Sequence, residues 1–186
     1  MNKESALKLL SQYIKSNSLI NHSKMVAFAM ESYALSMNKD AETIHNWWLT
    51  GLLHDLDWEQ YPDQHPNFAV HEVLPNHQIH ADILQAILSH APGRTGIYPS
   101  SELDCYLFAC DEISGFIHAV SLIRPTAYDG MKVKSVTKKL KMINFAANVS
   151  REDIDEGVKL IETNLQDHIQ FLISVFQEKK KLELID

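Results

Sequence analysis

The sequence has few of the residues that build tight turns, disulfides or membrane spans. Its 186 residues include six glycines, six prolines and two cysteines. So few chain breakers exclude a fold made of many short strands joined by turns. No run approaches the roughly 20 consecutive apolar residues of a bilayer-spanning helix, and Met1 to Leu10 lacks the apolar core of a signal peptide. We therefore expect a soluble protein without a membrane partner.

The two cysteines and the missing motifs narrow the class of protein further. Cys105 and Cys110 lie five residues apart in a predicted helix, on different faces, which excludes a mutual disulfide and a shared metal. Reduced thiols predict a cytoplasmic location. The chain also lacks a glycine-rich phosphate loop, a dinucleotide-binding fingerprint and a Gly-x-Ser-x-Gly elbow, which excludes several rival enzyme classes.

The charge balance points to a small-molecule partner. The formal net charge is −7, so the phosphates of a nucleic-acid polymer or an anionic membrane would be repelled unless basic residues cluster. Lys134, Lys138 and Lys141 do share one predicted helical face. Because apolar residues occupy the opposite face, a solvated surface explains these lysines better than a nucleic-acid patch.

The pattern of apolar residues predicts an all-α fold in one domain, residues 1–186. Apolar side chains recur at three- and four-residue spacing almost throughout, and 45% of the residues are hydrophobic, enough for one continuous core. Ser101 and Ser150 are predicted helix N-caps. About seven or eight helices are expected, from the ranges 2–16, 20–37, 41–56, 67–74, 77–90, 101–123, 133–147 and 151–180.

Ten histidines are present, and several stand where a buried helix face is predicted. The strongest local signal is the segment from Gly51 to Asp57, an apolar helix end that finishes in the adjacent pair His54 and Asp55. Imidazole and carboxylate groups are expensive to bury alone. A bound divalent cation would turn that penalty into coordination. An incidental His-Asp pair at a surface helix end is the alternative.

Other polar residues on apolar stripes favour the metal. His22 precedes Val26 by four residues, on the predicted buried face of its helix. Asp111 follows Leu107 by four, so a carboxylate falls on the apolar face of a long helix. An aspartate in such a place is seldom tolerated without a cation or an arginine.

His22, the His54-Asp55 doublet and Asp111, in this order, resemble the HD superfamily of metal-dependent phosphohydrolases. The segments Leu-Ile-Asn-His-Ser, Gly-Leu-Leu-His-Asp and Ala-Cys-Asp-Glu are of the kind found in that family. The match covers 19–121, with helices at 133–180 packed on this core. The resemblance implies a helical HD-domain bundle in which these four residues bind one divalent transition metal, Mn, Fe, Co, Ni or Zn.

The resemblance also raises the prospect of a second ion. Some HD proteins bind two metals through two further histidines, and the doublet aspartate bridges the ions. His65 and His90 fall in the corresponding stretch; His71, His77 and His80 are competing candidates. Asp57 stands where several nucleotide-directed relatives have lysine, so their substrates are not transferred to this chain.

The expected activity is hydrolysis of a small phosphorylated molecule, a phosphomonoester or phosphodiester, with nucleotides among the candidate substrates. Asp55 would act as a catalytic metal ligand, Asp111 or Asp57 would orient a metal-activated water, and Arg94 and Arg124 would hold the phosphate. A di-iron oxygenase and a non-catalytic metal-binding sensor module remain alternatives. Trp47, Trp48 and Phe116 are candidates for an apolar homodimer contact.

Overall fold

The computed structural model describes residues 1–186, which form helices and no β-strand. The predicted all-α class is confirmed. A π-helical turn at Ala69–Val73 and a 3-10 turn at Leu74–His77 precede the fourth α-helix. The α-helices are α1 Lys3–Tyr13, α2 Asn17–Ser36, α3 Ala41–Leu53, α4 Ala81–Ser89, α5 Pro92–Thr95, α6 Glu102–Leu122, α7 Val133–Leu140, α8 Arg151–Leu160 and α9 Leu165–Lys181.

The core consists of two adjoining apolar clusters. One cluster lies among α2, α6 and α9, and the other joins α1 and α3 to α4 and to the turns before it. Helix α2 contributes to both. It packs so closely on α3 that a Cβ atom added at Gly51 would lie 2.7 Å from the Cα atom of Ala27. Glycine is therefore required where α3 crosses α2.

Helix α6 begins where the sequence predicts. The Ser101 hydroxyl accepts the main-chain N–H of Asp104, and the Asp104 carboxylate accepts the main-chain N–H of Ser101. This reciprocal capping box satisfies two otherwise orphaned donors. Ser150 caps α8 through the N–H of Asp153, also as predicted.

The prediction of one helix over 151–180 is wrong. The chain breaks between α8 and α9, where Glu162 has a φ of +50°, a left-handed conformation that ends a helix. Asn164 then caps α9 by accepting the N–H of Asp167. The apolar stripe stays in phase on both sides of the break, so periodicity alone predicts one continuous helix.

The prediction of a helix over 133–147 is also too long. Helix α7 ends at Leu140, and Ile143, inside the predicted range, is 86% exposed. The Arg151 guanidinium donates to the main-chain carbonyls of Ala146 and Val149. These hydrogen bonds satisfy main-chain carbonyls in the irregular segment that replaces the last predicted helical turns. Lys134, Lys138 and Lys141 are exposed, as predicted for a solvated face.

Two further predictions differ from the structure before and within the bundle. The helix predicted at 67–74 is a π-helical turn, and the helix predicted at 77–90 begins only at Ala81, with the His80 side chain at its N-cap.

Trp47, Trp48 and Phe116 are buried in the core, so they do not form an exposed patch for a homodimer. No helix is both long and apolar enough to cross a lipid bilayer.

A buried histidine ties the C-terminal helix to the rest of the bundle. His168, in α9, is 1% exposed. Its Nε2 donates to the Ala109 carbonyl of α6 at 2.9 Å, so its Nδ1 accepts the Tyr33 hydroxyl of α2 at 2.6 Å. Burial lowers the pKa of His168 to about 4. The neutral ring is therefore the form that the fold accommodates.

We expect acid to destabilise the fold through His168. The unfolded chain protonates this ring near pH 6.5 and the folded chain only near pH 4. The stability that the neutral ring gives the folded state is therefore fully present above the unfolded pKa and is lost as the pH falls toward 4. The total loss in the free energy of unfolding is about 3 kcal/mol. Urea unfolding at pH 7 and pH 4.5 should show a larger loss for the wild type than for His168→Gln; equal losses would contradict this role.

Candidate metal centre

Four helices and one loop bring together the six side chains predicted as metal ligands. His22 projects from the first turns of α2, and Asp111 from the middle of α6. His54 and His90 are the C-cap residues of α3 and α4, where the chain turns and frees a side chain to point away from the helix. The six predicted ligands are His22, His54, Asp55, His65, His90 and Asp111.

The first group of ligands surrounds one oxygen of Asp55. Oδ2 of Asp55 lies 3.7 Å from His22 Nε2 and 3.4 Å from His54 Nε2. Asp111 Oδ1 lies 2.9 Å from His22 Nε2 and 3.4 Å from His54 Nε2. Two imidazole nitrogens and two carboxylates therefore converge on one position.

The second group faces the other oxygen of Asp55. Oδ1 of Asp55 lies 3.5 Å from His65 Nε2 and 3.6 Å from His90 Nε2. The ligand atoms of His22, His54 and Asp55 lie within 4.8 Å of one another, as do those of Asp55, His65 and His90, which is the spacing of a metal site. Asp55 belongs to both, and each of its oxygens faces one group. These His/Asp groups could hold one or two metal ions.

Hydrogen bonds at the far side of three rings fix which nitrogen faces the centre. The Nδ1 atoms of His54 and His90 contact the main-chain carbonyls of Gly51 and Ile87. Nδ1 of His65 contacts the Asp57 carboxylate at 2.7 Å. Each Nδ1 must carry a proton because its partner accepts only, which leaves Nε2 of the neutral ring with a lone pair.

The inward nitrogens lack protein partners of their own. Nε2 of His54 is buried and has no hydrogen bond, since the two carboxylates lie beyond the usual length. Nε2 of His65 and Nε2 of His90 face each other at 3.1 Å. Two lone pairs at that distance repel, whereas a shared cation would satisfy both. This arrangement fits the chemistry of a metal ligand set.

The charges inside the centre depend on one another. Burial by itself opposes ionisation of the two ligand carboxylates, but the neighbouring imidazoles outweigh it and lower the pKa of Asp55 and of Asp111. The same carboxylates overcome the effect of burial on His54 and raise its pKa. A proton and a metal ion therefore compete for the same place between these groups.

Asp57 lies behind the centre and does not face it. The side chain is fully buried, with Oδ1 bound to His65 Nδ1 and Oδ2 accepting the main-chain N–H of Ala69 at 2.7 Å. Both oxygens are thus engaged, and the predicted role in orienting a catalytic water does not fit this position. Asp57 instead orients His65, as carboxylates behind metal-binding histidines commonly do.

We expect Asp57→Asn to weaken the second group of ligands selectively. Asparagine offers one acceptor where aspartate offers two, so it cannot serve both His65 and Ala69. Loss of such a supporting carboxylate typically lowers metal affinity by about 10- to 100-fold. Metal titration followed by elemental analysis should then show fewer ions bound at low metal concentration, while the His22 group still fills. Unchanged binding of both ions would contradict the supporting role.

A cavity of about 530 Å³ opens onto five of the six predicted ligands; His54 lies beneath them. Arg94, predicted to bind substrate, lines this cavity. Its guanidinium donates to the Pro62 carbonyl at 2.7 Å and lies 5.1 Å above the Trp58 ring. Trp58 in turn packs against His65, with ring centroids 4.9 Å apart. The cation is therefore held beside the second group of ligands.

Other predicted residues fall outside the cavity. Arg124 does not line it, and its guanidinium donates to the carbonyls of Ala127 and Asp129 in the turn after α6; substrate binding by Arg124 stays a prediction. The competing histidines are all exposed and belong to neither ligand group: His71, His77 and His80.

Three side chains of the cavity wall that can interact with a ligand through charge or an aromatic ring were not predicted from the sequence. Trp58 follows Asp55 by three residues, Glu112 directly follows Asp111, and Asp153 lies in the first turn of α8. Burial raises the pKa of Glu112 to about 7, helped by the charge of Asp111. Proximity to the ligands in sequence could have indicated Trp58 and Glu112, but only the tertiary contact of α8 with α6 brings Asp153 here.

Comparison with known proteins identifies no relative: no family model matches the chain, no curated protein matches it, and no solved structure matches it. The interpretation of the centre therefore depends on its own geometry and chemistry.

Proposed function

We propose that this protein is a metal-dependent phosphohydrolase of the HD type, acting on a small phosphorylated molecule. One observation carries the proposal: the Asp55 carboxylate stands between two sets of inward imidazole nitrogens, and five of the six ligands open onto a cavity. A closed structural metal site has no such access. An open cavity beside the ligands leaves room for a substrate and a water.

The donor set suits Mn, Fe, Co, Ni or Zn, because imidazole nitrogen and carboxylate oxygen are both good ligands of these divalent ions. His22, His54, Asp55 and Asp111 would hold one ion, and Asp55, His65 and His90 a second. Such ions, when bound, polarise a phosphoryl oxygen and make an attacking water more acidic.

The remaining work falls to side chains of the cavity. Arg94 has one N–H engaged by Pro62, and its other donors are available for the oxygens of a phosphate group. Asp111 contacts His22 and also lines the cavity, so it is the better candidate to accept a hydrogen bond from the attacking water. The rings of His54, His65 and His90 stay in place because their Nδ1 atoms are bonded behind them.

The same ligand set would also suit a di-iron oxygenase, and the metal content and reaction of the purified protein distinguish the two. The experiment is an assay of phosphate release from a panel of phosphomonoesters, phosphodiesters and nucleotides. Protein stripped by a chelator and reloaded with Mn, Fe, Co, Ni or Zn is compared with stripped protein. Turnover that returns only with metal supports the hydrolase. Stoichiometric iron without any phosphate release would overturn it in favour of the oxygenase.

A further inference from the structure

The cavity wall is unequal in charge beyond the metal ligands. It contains one cationic side chain, Arg94, and two carboxylates that belong to neither ligand group, Glu112 and Asp153. None of the three forms an ion pair with another protein side chain: the salt bridges at the cavity join only histidines to Asp55, Asp57 and Asp111. No protein side chain therefore neutralises the charges of Arg94 and Asp153, which act on a bound ligand, whereas the raised pKa of Glu112 reduces its charge at neutral pH.

The cation and the two acids lie at different ends of the site. Arg94 contacts Trp58, which packs on His65, so it adjoins the second group of ligands. Glu112 is next to Asp111 in α6, and its carboxylate accepts the main-chain N–H of Ser150 at 3.0 Å. Ser150 caps the turn that holds Asp153. The acids thus adjoin the first group of ligands and the start of α8.

One phosphate group suits this distribution and two do not. A phosphate bridging the ligand groups would meet Arg94 on one side. A second phosphate would find no further cationic side chain on the wall, and the Asp153 carboxylate would repel it. The volume of about 530 Å³ is in the range of small-molecule pockets, so the alcohol part of an ester fits.

We infer, on the basis of the proposed function, that the cavity selects phosphomonoesters of uncharged or cationic alcohols and rejects ligands with two linked phosphates, and that Asp153 is the residue that rejects them. Asp153 can be tested by a substitution that changes its charge alone. Its carboxylate accepts no hydrogen bond from the protein, so Asp153→Asn removes charge without removing a structural contact. Glu152, exposed in the same turn and outside the cavity, provides a matched control.

The experiment measures binding of inorganic phosphate and of pyrophosphate to the manganese-loaded protein by calorimetry. We expect Asp153→Asn to shift the affinity ratio toward pyrophosphate by about fivefold, the effect of one like charge removed at a partly buried site. Glu152→Gln should leave the ratio unchanged. Chelation of manganese by free pyrophosphate is the same for every variant, so comparison with wild type cancels it.

The results distinguish failure of the proposed selectivity from failure of the proposed hydrolase. Phosphate binding without a shift in Asp153→Asn, or an equal shift in Glu152→Gln, overturns the selectivity while leaving the hydrolase proposal intact. Absence of phosphate binding by the metal-loaded wild type overturns both. Among substrates, kcat/KM for a nucleoside diphosphate relative to the monophosphate should rise in Asp153→Asn.

Discussion

Replacing Asp55 by asparagine should remove bound metal and hydrolytic activity together. Both ligand groups use this carboxylate, one through each oxygen, so the change weakens two sites at once. An amide is a poor substitute because it carries no charge to offset that of the cations. We expect metal affinity to fall by more than about 100-fold, beyond the loss typical of a supporting residue. Elemental analysis after gel filtration and a phosphate-release assay measure the two effects.

Asp63→Asn is the matched control for this prediction. Asp63 lies in the loop between Asp55 and His65, is exposed and contacts neither ligand group. Its loss changes the net charge equally and should leave metal content and activity unchanged. Full retention of metal in Asp55→Asn would show that Asp55 is not a ligand.

Gly51→Ala should destabilise the fold strongly although it improves the intrinsic helix propensity of α3. The added Cβ atom would meet the backbone of α2, 2.7 Å from both Cα and N of Ala27, and a backbone cannot rotate away. Overpacking of a helix crossing costs about 3 kcal/mol, which exceeds the gain of about 1 kcal/mol in propensity. Urea unfolding of the variant measures the difference.

Gly93→Ala is the control that distinguishes a steric clash from a change in helix propensity. A Cβ atom at Gly93 meets nothing within 4 Å, so alanine there should be neutral or slightly stabilising.

The Gly51 substitution should also affect the metal centre. The Gly51 carbonyl accepts a hydrogen bond from His54 Nδ1, and displacement of α3 should therefore weaken metal binding as well. A Gly51→Ala variant as stable as wild type would refute the close crossing of α2 and α3.

The class of fold and part of the centre could be predicted because both leave local signals, whereas His65, in a loop without an apolar stripe, was indicated only by the family resemblance. Apolar spacing marks each helix, and a histidine or aspartate on an apolar stripe is conspicuous wherever the chain folds. His22 and Asp111 are 89 residues apart, yet each was indicated by its own helix, and the structure brings them to 2.9 Å.

Local signals in the sequence do not show where a side chain points or which groups it contacts. Asp57 resembles Asp55 in sequence, but the turn after α3 points it away from the cavity, toward His65 Nδ1 and Ala69 N–H. Arg94 and Arg124 were predicted alike as substrate-binding residues, but the guanidinium of Arg124 lies outside the cavity and donates to the carbonyls of its own turn. The break at Glu162 interrupts an apolar stripe without changing its phase, and Asp153 reaches the cavity only through the packing of α8 on α6.

The most direct test of the central claim is a count of metal ions in the purified protein. Elemental analysis after equilibration with Mn, Fe, Co, Ni or Zn and removal of free ions should give about two ions per chain, in line with the two groups around Asp55. Asp55→Asn run beside it should give almost none. A wild-type protein that retains no ion under any of these conditions would contradict the metal centre and, with it, the proposed hydrolase.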